Sequence, residues 1–279
     1  MNLSQTLPFQ EGGYTVQELL PGIYGIDTAG EESMYLVCGS EKSLLIDTGS
    51  DPAPILPLIR KLTDRPVELA LTHAHFDHMY HCDEFRTIYL HKADAEAWKR
   101  VLGPIVFVST AGSGKKPKHY DVKNWQLLTG GDEICLGSRT LRVVEAKGHT
   151  SGSILLVSDA DRCIFTGDAF GSGSFAWMWM PGCSCLSEYR KSLQAMCLEL
   201  DAHPDYRLFG GHRIQGTRSP AYPEANPLSA EIAHDMITLC EKILAKELQP
   251  VKAERNFGLK TFTYRYKQAA IVIRRGNIR

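Results

Sequence analysis

The chain has 279 residues, of which 43% are hydrophobic and 23% are charged, and its net charge is −1 at pH 7. These values are ordinary for a globular protein that buries a substantial core. Because the charges balance and no long basic run occurs, attraction to nucleic acid or to an anionic membrane is not expected to drive function. We therefore predict a small-molecule substrate, with no nucleic-acid partner and no membrane partner.

The first ten residues contain neither a basic segment nor an apolar segment, so no secretory signal is predicted. No apolar stretch is long enough to span a bilayer. The eight cysteines form no CxxC pair, a pattern typical of free thiols in a reducing compartment. These features predict a cytoplasmic location. They leave the oligomeric state open, with a homodimer as one option.

After a polar lead, the first half of the chain predicts strands that alternate with helices. Apolar runs bounded by glycine and charged residues indicate the strands, and helical spacing of apolar residues indicates the helices. A stretch rich in glycine and lysine, residues 109–121, predicts a surface loop. The predicted strands are residues 22–27, 34–38, 43–47, 67–71 and 87–91, and the predicted helices are residues 55–62 and 93–102.

Four potential metal ligands follow the predicted strand at residues 67–71. In an extended chain residues i and i+2 share a face, which lets His73 and His75 bind one metal while the chain turns and offers Asp77 and His78 to a second. Imidazole combined with carboxylate suits a divalent ion such as zinc or iron. A lone histidine is ordinarily a surface or core residue, but four ligands within six residues favour a two-metal site.

The strand pattern restarts at Trp125. Three later strands end at a glycine that is followed by a ligand-type residue, namely His149, Asp168 or His212. Because glycine permits sharp turns and close backbone approach, four strand ends are expected to bring ligands to one edge. The predicted strands are residues 134–136, 140–144, 153–157, 163–165 and 206–209, the helices are residues 186–198 and 229–248, and a hairpin closes the chain at residues 260–266 and 270–273.

The order of these motifs resembles that of the metallo-β-lactamase-fold hydrolase superfamily. The resemblance extends from residue 22 to about residue 273, and it implies an α/β fold of the αβ/βα four-layer sandwich type. We expect a single domain over residues 1–279, with two pseudo-equivalent halves at roughly 1–124 and 125–279, because both halves supply ligands. The motifs are HxHxDH from His73 to His78, then Gly148-His149-Thr150, Gly167-Asp168 and Gly211-His212.

The resemblance also implies a role for each ligand. Asp168 would bridge two metals, and Asp47 would brace a ligating histidine and fix its tautomer. Many relatives follow the HxHxDH motif with Gly-Gly or Ala-Gly, whereas this chain has Met79-Tyr80-His81-Cys82, so the floor of the site is expected to differ. The first metal would be held by His73, His75 and His149, and the second by Asp77, His78 and His212.

A metal-dependent hydrolase of the EC 3 class is the activity that the resemblance implies. Two zinc ions, with iron or manganese as alternatives, would share a bridging hydroxide that attacks an ester, thioester or lactone. Asp77 and Asp168 are the predicted catalytic residues, since either carboxylate would orient the nucleophile or relay its proton. An aspartate rather than a cysteine at position 168 resembles the glyoxalase II, lactonase and phosphodiesterase branches.

Three other functions stay open. A phosphodiesterase would use the same metals, with an anionic substrate contacted by basic side chains. An oxidoreductase resembling persulfide dioxygenases would hold one iron on two histidines and an aspartate. A non-catalytic binding module is the third. The basic side chains considered are Lys115, Lys116, Lys118 and Arg213.

Two segments are candidates for the substrate pocket. One is the loop at residues 109–121, and the other is the aromatic and methionine-rich segment at residues 170–182, which has no clear period and directly follows Asp168. Large apolar residues there are as consistent with a core position as with a substrate wall. The candidate wall residues are Phe170, Trp177, Trp179 and Arg213.

Overall fold

The computed structural model describes residues 8–112, 114–116, 118, 120–171, 175–215 and 227–279. The first sheet has eight strands that follow one another in chain order. Four helices accompany it: α1 (Leu56–Leu62), α2 (Phe76–Met79), α3 (Lys92–Ala97) and α4 (Gly103–Gly112). The strands are β1 (Phe9–Glu11), β2 (Tyr14–Leu20), β3 (Ile23–Asp27), β4 (Ser33–Cys38), β5 (Ser43–Ile46), β6 (Val67–Ala70), β7 (Ile88–His91) and β8 (Gln126–Leu128).

The second half builds two further sheets. One has the order β14-β12-β11-β10-β9 and the other has the order β13-β17-β16-β15. The helices here are α5 (Leu186–Ala202) and α6 (Ala230–Leu244). The strands are β9 (Glu133–Cys135), β10 (Thr140–Glu145), β11 (Ile154–Ser158), β12 (Cys163–Gly167), β13 (Ala176–Met178), β14 (Arg207–Gly210), β15 (Lys252–Asn256), β16 (Leu259–Tyr266) and β17 (Ala269–Ile273).

Parallel pairing places the ends of several strands at one edge. Strands β5, β6 and β7 run parallel to one another, and so do β12 and β14. The carboxyl ends of parallel strands meet at the same edge of a sheet. The segments that follow β5, β6, β12 and β14 carry Asp47, His73, Asp168 and His212, so the topology itself brings these four residues together.

Apolar cores separate the layers. Between the two larger sheets, the rings of Tyr35, Phe165 and Phe209 have centroids 5.1 to 5.5 Å apart. A second core packs the first sheet against α1, α3 and α4, and a third packs the second sheet against α5 and α6. Successive residues of a strand face opposite sides, so Ile154 lies in the central core and Leu155 lies in the outer one. The predicted αβ/βα sandwich is confirmed.

The structure differs from the prediction in several elements. Helix α4 extends to residue 112, into the predicted loop at 109–121, and a π-helical turn at Trp98–Leu102 joins α3 to α4. Glycines at both ends and an apolar run on all sides concealed its helical period. Strands β1, β2, β8, β13 and β15 were also not predicted, so the β16–β17 hairpin is the part of the four-stranded sheet that the sequence indicated. Residues 113, 117 and 119 of the predicted loop, and 172–174 of the aromatic segment, lie outside the described residues.

All eight cysteines are free thiols. Among the described helices, none combines the length and the apolarity that crossing a bilayer requires. Strand β8 pairs with β7 of the first sheet. The first sheet therefore extends past residue 124, where the boundary between the two halves was expected. The single-domain organisation stays a prediction.

Asp27 gives the fold a testable pH dependence. Its carboxyl is buried and accepts a hydrogen bond from Ser33 Oγ at 2.6 Å. Burial raises the pKa of Asp27 to about 6, from about 4 in an unfolded chain. Between these values the folded state holds a proton that the unfolded state releases, so stability falls as the pH rises from about 4 to about 6.

We expect Asp27→Asn to remove that fall, which corresponds to about 3 kcal/mol at most. Denaturant unfolding of both proteins across this pH range measures their free energies of unfolding. As the pH rises, that of the unchanged protein should fall relative to that of Asp27→Asn. Two stability curves that run parallel would contradict the expectation.

Candidate metal centre

The segment after β6 turns sharply and presents its ligands inward. His75 is the N-cap of the four-residue helix α2, which carries Asp77 and His78. His73, His75 and His78 are buried, whereas the Asp77 side chain is 25% exposed. The backbone N–H of Thr48, after β5, donates to His78 O at 2.8 Å. The turn of the chain predicted from the sequence is therefore a short helix that is tied to the neighbouring strand end.

Three other strand ends close the site. His149 lies in the connection between β10 and β11, Asp168 follows β12, and His212 follows β14. Gly211 is required for the last approach, because a Cβ atom there would lie 2.4 Å from Asp168 Oδ1. The predicted ligands therefore meet in one cluster.

His73, His75 and His149 form a first triad. His75 Nδ1 lies 2.8 Å from His149 Nε2. Burial, reinforced by neighbouring histidines, lowers the pKa values of His73 and His75 well below their ordinary value, and burial lowers that of His149. All three rings are therefore neutral at physiological pH, which is the form in which imidazole binds a metal.

Asp77, His78 and His212 form a second triad, and Asp168 lies between the two. Asp168 Oδ2 lies 3.5 Å from both His149 Nε2 and His212 Nε2, and Oδ1 lies 3.5 Å from His78 Nε2. These separations exceed a normal hydrogen bond. They match the roughly 3.4 Å between two ligands of a tetrahedral ion with bonds of about 2.1 Å. Asp168 is thus placed to contact both sites.

The second triad has the opposite electrostatic character. Burial opposes the charged form of His78 and His212, but nearby carboxylates, Asp168 first, outweigh it and raise the pKa values of both. Burial also opposes ionisation of Asp168, yet the two histidines hold its pKa well below the usual range. The carboxylate is ionised and faces two protonated rings, so a metal that binds here would take the place of their protons.

The ring nitrogens decide whether a metal fits. His73, His78 and His212 each have a buried Nε2 with no hydrogen-bond partner in the part of the chain described. The opposite nitrogens of three histidines are held: His73 Nδ1 by Thr72 Oγ1 at 3.1 Å, His78 Nδ1 by Asp47 Oδ2 at 2.9 Å, and His149 Nδ1 by Trp177 O at 3.0 Å. Buried nitrogens without partners are costly. The neutral ring of His73 offers a lone pair there, and at His78 and His212 a cation would replace the ring proton, so the residues fit a metal.

Asp47 accepts several of the hydrogen bonds that orient the histidines. Its Oδ1 accepts from the backbone N–H of Thr72 at 2.8 Å, and its Oδ2 accepts from Thr72 Oγ1 at 2.7 Å as well as from His78. Since Thr72 Oγ1 in turn contacts His73, Asp47 orients one histidine of each triad. Its backbone is left-handed, with φ +60°, a conformation that Asp and Asn tolerate better than most residues.

Sequence reasoning missed Asp94. This carboxylate of α3 is fully buried and accepts hydrogen bonds from the backbone N–H groups of Ala74 and Gly152, at 3.0 and 2.6 Å, and from Thr150 Oγ1 at 2.8 Å. It therefore ties the segment that carries His73 and His75 to the segment that carries His149. Its only sequence signal is an acidic residue in the first turn of a helix, which ordinarily stabilises the helix alone.

The remaining candidate residues occupy different places. Phe170 lies in the outer core of the second half, 2% exposed, which leaves it little surface for a ligand. Trp177 and Trp179 share one face of the β13 segment, with ring centroids 5.8 Å apart. Arg213 Nη2 pairs with Glu31 at 3.1 Å.

The segment Met79-Tyr80-His81-Cys82 differs from the family pattern. Its Met79 and Cys82 side chains pack into the core. His81 faces Glu84 through Nδ1 at 2.6 Å and Asp51 O through Nε2 at 2.8 Å. These contacts turn His81 away from the ligand cluster.

Comparison with known sequences places these features in a family. A sequence model described as the metallo-beta-lactamase superfamily matches residues 27–212. The protein named acyl-coenzyme A thioesterase MBLAC2 of Homo sapiens is 29% identical over 227 residues, covering 71% of this chain and 81% of that one. Its Gallus gallus counterpart is 28% identical over 225 residues, covering 74% and 79%. The probable metallo-hydrolase YqgX of Bacillus subtilis (strain 168) is 29% identical over 157 residues, covering 51% and 68%.

Solved structures agree on the fold. The class B3 di-zinc metallo-beta-lactamase LRA-12, from an Alaskan soil metagenome, is 18% identical, with a TM-score of 0.58 over 88% of this chain and 99% of that one. TTHA1623 in a di-iron-bound form is 24% identical, with a TM-score of 0.53 over 70% and 94%. The motifs, the four layers and the matched residues lead to one conclusion: the chain belongs to the metallo-beta-lactamase superfamily.

Proposed function

We propose that the chain is a dinuclear metallohydrolase that cleaves the thioester bond of an acyl-coenzyme A. The observation that carries the proposal is the pair of triads, one of three histidines and one of two histidines and an aspartate, with Asp168 between them. Two zinc ions suit this donor set of imidazoles and carboxylates, with iron as the alternative. Relatives named acyl-coenzyme A thioesterase support a thioester over the ester and the lactone that the sequence left open.

The chemistry divides between metals and protein. Two divalent ions would polarise the thioester carbonyl and lower the pKa of a water towards neutrality. Asp168, buried between the triads, holds the two sets of ligands in register. Asp77, with its partly exposed side chain, is the carboxylate best placed to accept the proton of the attacking water.

Hydrolysis forms one C–O bond and breaks the C–S bond, and the proton of the water passes to the departing thiolate. Because a thiol has a pKa near 8.5, its thiolate departs without a dedicated general acid. The ligand cluster contains only histidines and aspartates, which is sufficient for this leaving group.

An aromatic cleft beside the first triad suits the acyl group. The cleft encloses about 210 Å³ and is lined by Trp177 and Trp179, and the Trp179 ring stacks on Phe257 at 6.0 Å. Trp177 O holds the ligand His149, so one residue of the cleft wall contacts the metal centre.

The alternatives have weaker support. A mononuclear iron centre would leave the complete second triad unexplained. For a phosphodiester, Lys118 and Arg213 would have to exchange their present partners, Asp83 and Glu31, for the substrate.

A panel of substrates tests the proposal. Metal-loaded protein is offered an acyl-coenzyme A, a matched oxygen ester, a lactone and bis(p-nitrophenyl) phosphate, with Asp168→Asn protein as the control for contaminating esterases. We expect kcat/KM for the thioester to exceed the others by at least about tenfold, a difference of about 1.4 kcal/mol in barrier. Faster cleavage of the phosphodiester would overturn the thioesterase assignment.

A further inference from the structure

A groove lies between helices α3 and α4, residue 118 and residues 120–127, and the metal site described above does not include it. Its volume is about 810 Å³. On the helical side, Lys92, Lys99 and Phe107 lie along one helical face. Lys118 and Lys123 line the opposite side. Four lysines thus surround one cavity in a chain whose net charge is −1.

Two carboxylates, Glu96 and Asp121, line the groove with these lysines, and Asp83 lies beside Lys118, so the positive excess is small and is concentrated at Lys99 and Lys123. The Lys92–Glu96 pair is long, 3.8 Å, and both side chains are more than half exposed, so it contributes little. Lys118 pairs with Asp83 at 2.6 Å. Lys99 and Lys123 form no ion pair in the described part of the chain. Of the lining carboxylates, Asp121 accepts a hydrogen bond from the backbone N–H of Lys123 at 3.3 Å.

The floor of the groove is aromatic. Trp98 and Tyr120 both line it, with ring centroids 6.2 Å apart. Aromatic faces stack on nucleobases, and lysines around them bind the phosphates. An aromatic floor with a lysine rim is therefore complementary to a nucleotide that carries several phosphate groups.

Contacts with Tyr80 connect the groove to the chain segment that carries Asp77 and His78 of the second triad. The hydroxyl of Tyr120 donates to Tyr80 O at 2.7 Å, and Lys118 Nζ lies 4.5 Å from the Tyr80 ring centroid. Tyr80 is two residues after the ligand His78. Trp177, which lines the aromatic cleft, contacts His149 of the first triad through its carbonyl oxygen.

We infer that the lysine groove binds the nucleotide end of coenzyme A, while the aromatic cleft takes the acyl group. The inference rests on the proposed thioesterase function and names the second half of its substrate. A thioester between the two triads would extend its acyl group towards Trp177 and its flexible pantetheine arm past Tyr80, which brings the diphosphate and the adenine to Lys99, Lys123 and Trp98.

Two exposed lysines allow a test that leaves the fold intact. Lys99→Glu and Lys123→Glu each reverse one groove charge, and Lys191→Glu on α5, also exposed, is the matched control for net charge. The probe is the nucleotide fragment of coenzyme A without its pantetheine arm, titrated calorimetrically into each metal-loaded protein. We expect about fivefold to tenfold weaker binding in both groove variants, unchanged binding in the control, and an affinity that falls as salt is added.

A kinetic comparison separates this inference from the proposed function. We expect kcat/KM for an acyl-coenzyme A to fall by a similar factor in the groove variants, while that for the N-acetylcysteamine thioester of the same acyl group, which lacks the nucleotide, stays unchanged. Equal binding of the fragment to all four proteins, or no binding at all, overturns the inference even if thioesters are cleaved. Lysine-dependent binding without thioester cleavage supports the groove and overturns the thioesterase.

Discussion

Replacing Asp168 with asparagine should lower turnover by about a thousandfold and reduce the bound metal from two ions to one. Asp168 Oδ2 lies 3.5 Å from a histidine of each triad. The amide oxygen of asparagine carries no full negative charge and is a poor bridge between two cations, and the amide nitrogen does not bind metals. Loss of one ion removes several kcal/mol of charge stabilisation in the transition state, and a loss of that size lowers turnover by about a thousandfold.

The measurement combines steady-state kcat with metal content by mass spectrometry on the same preparation. Asp159→Asn, which changes the same functional group at an exposed position, controls for the loss of one negative charge. An Asp168→Asn protein that keeps two ions and normal turnover would remove the bridging role from the account.

Asp47→Asn should weaken metal binding by about tenfold to a hundredfold without unfolding the protein. Asparagine tolerates the left-handed backbone at this position, where φ is +60°. The amide nitrogen of asparagine, however, is a hydrogen-bond donor. It would face the donor groups of Thr72 or His78, whose hydrogen bonds the oxygens of Asp47 accept in the unchanged protein. The histidines are then less well oriented. Loss of a hydrogen bond that orients a metal ligand typically weakens metal binding by about tenfold to a hundredfold.

Thr72→Val provides a matched comparison. It removes the hydroxyl that contacts His73 but leaves the bond from His78 to Asp47 in place, so we expect a smaller loss, confined to the first site. Competition with a chromophoric chelator measures both affinities. If Asp47→Asn bound metal as tightly as the unchanged protein, the hydrogen bond to His78 would have no part in holding the site.

The ligand cluster was predictable because the spacing of its residues along the chain reflects the geometry that a metal requires of its ligands. Imidazoles at i and i+2 at the end of an apolar run share a face whatever the rest of the chain does. His149, Asp168 and His212 each follow a glycine at the end of a strand or just after it. In the structure these residues meet, and the family and fold class are confirmed. That each residue binds a metal stays a prediction.

The supporting groups were not predictable for a physical reason. Asp94 and the carbonyl of Trp177 act through hydrogen bonds between segments that are distant in sequence, and Thr72 links His73 to the distant Asp47 in the same way. Such contacts leave no periodic pattern. Asp47 was found only because the family resemblance points to it, since an aspartate at a strand end is otherwise a common turn residue.

The missed elements share another cause. Strand β13 has only three residues, too few to show a period of two. Strand β15 carries Lys252 and Glu254 at the edge of its sheet, where charged residues discourage further pairing and conceal the strand pattern. Tertiary contacts rather than local propensity decide both strands.

The central claim, that two divalent ions held by both halves of the chain cleave the substrate, is tested most directly by metal removal. Metal content by mass spectrometry and thioester turnover are followed in one sample during exhaustive chelation and during stepwise return of zinc. We expect turnover to disappear as the ions leave and to recover fully only as the second ion per chain returns. Full turnover in metal-free protein, or full recovery at one ion per chain, would contradict the account.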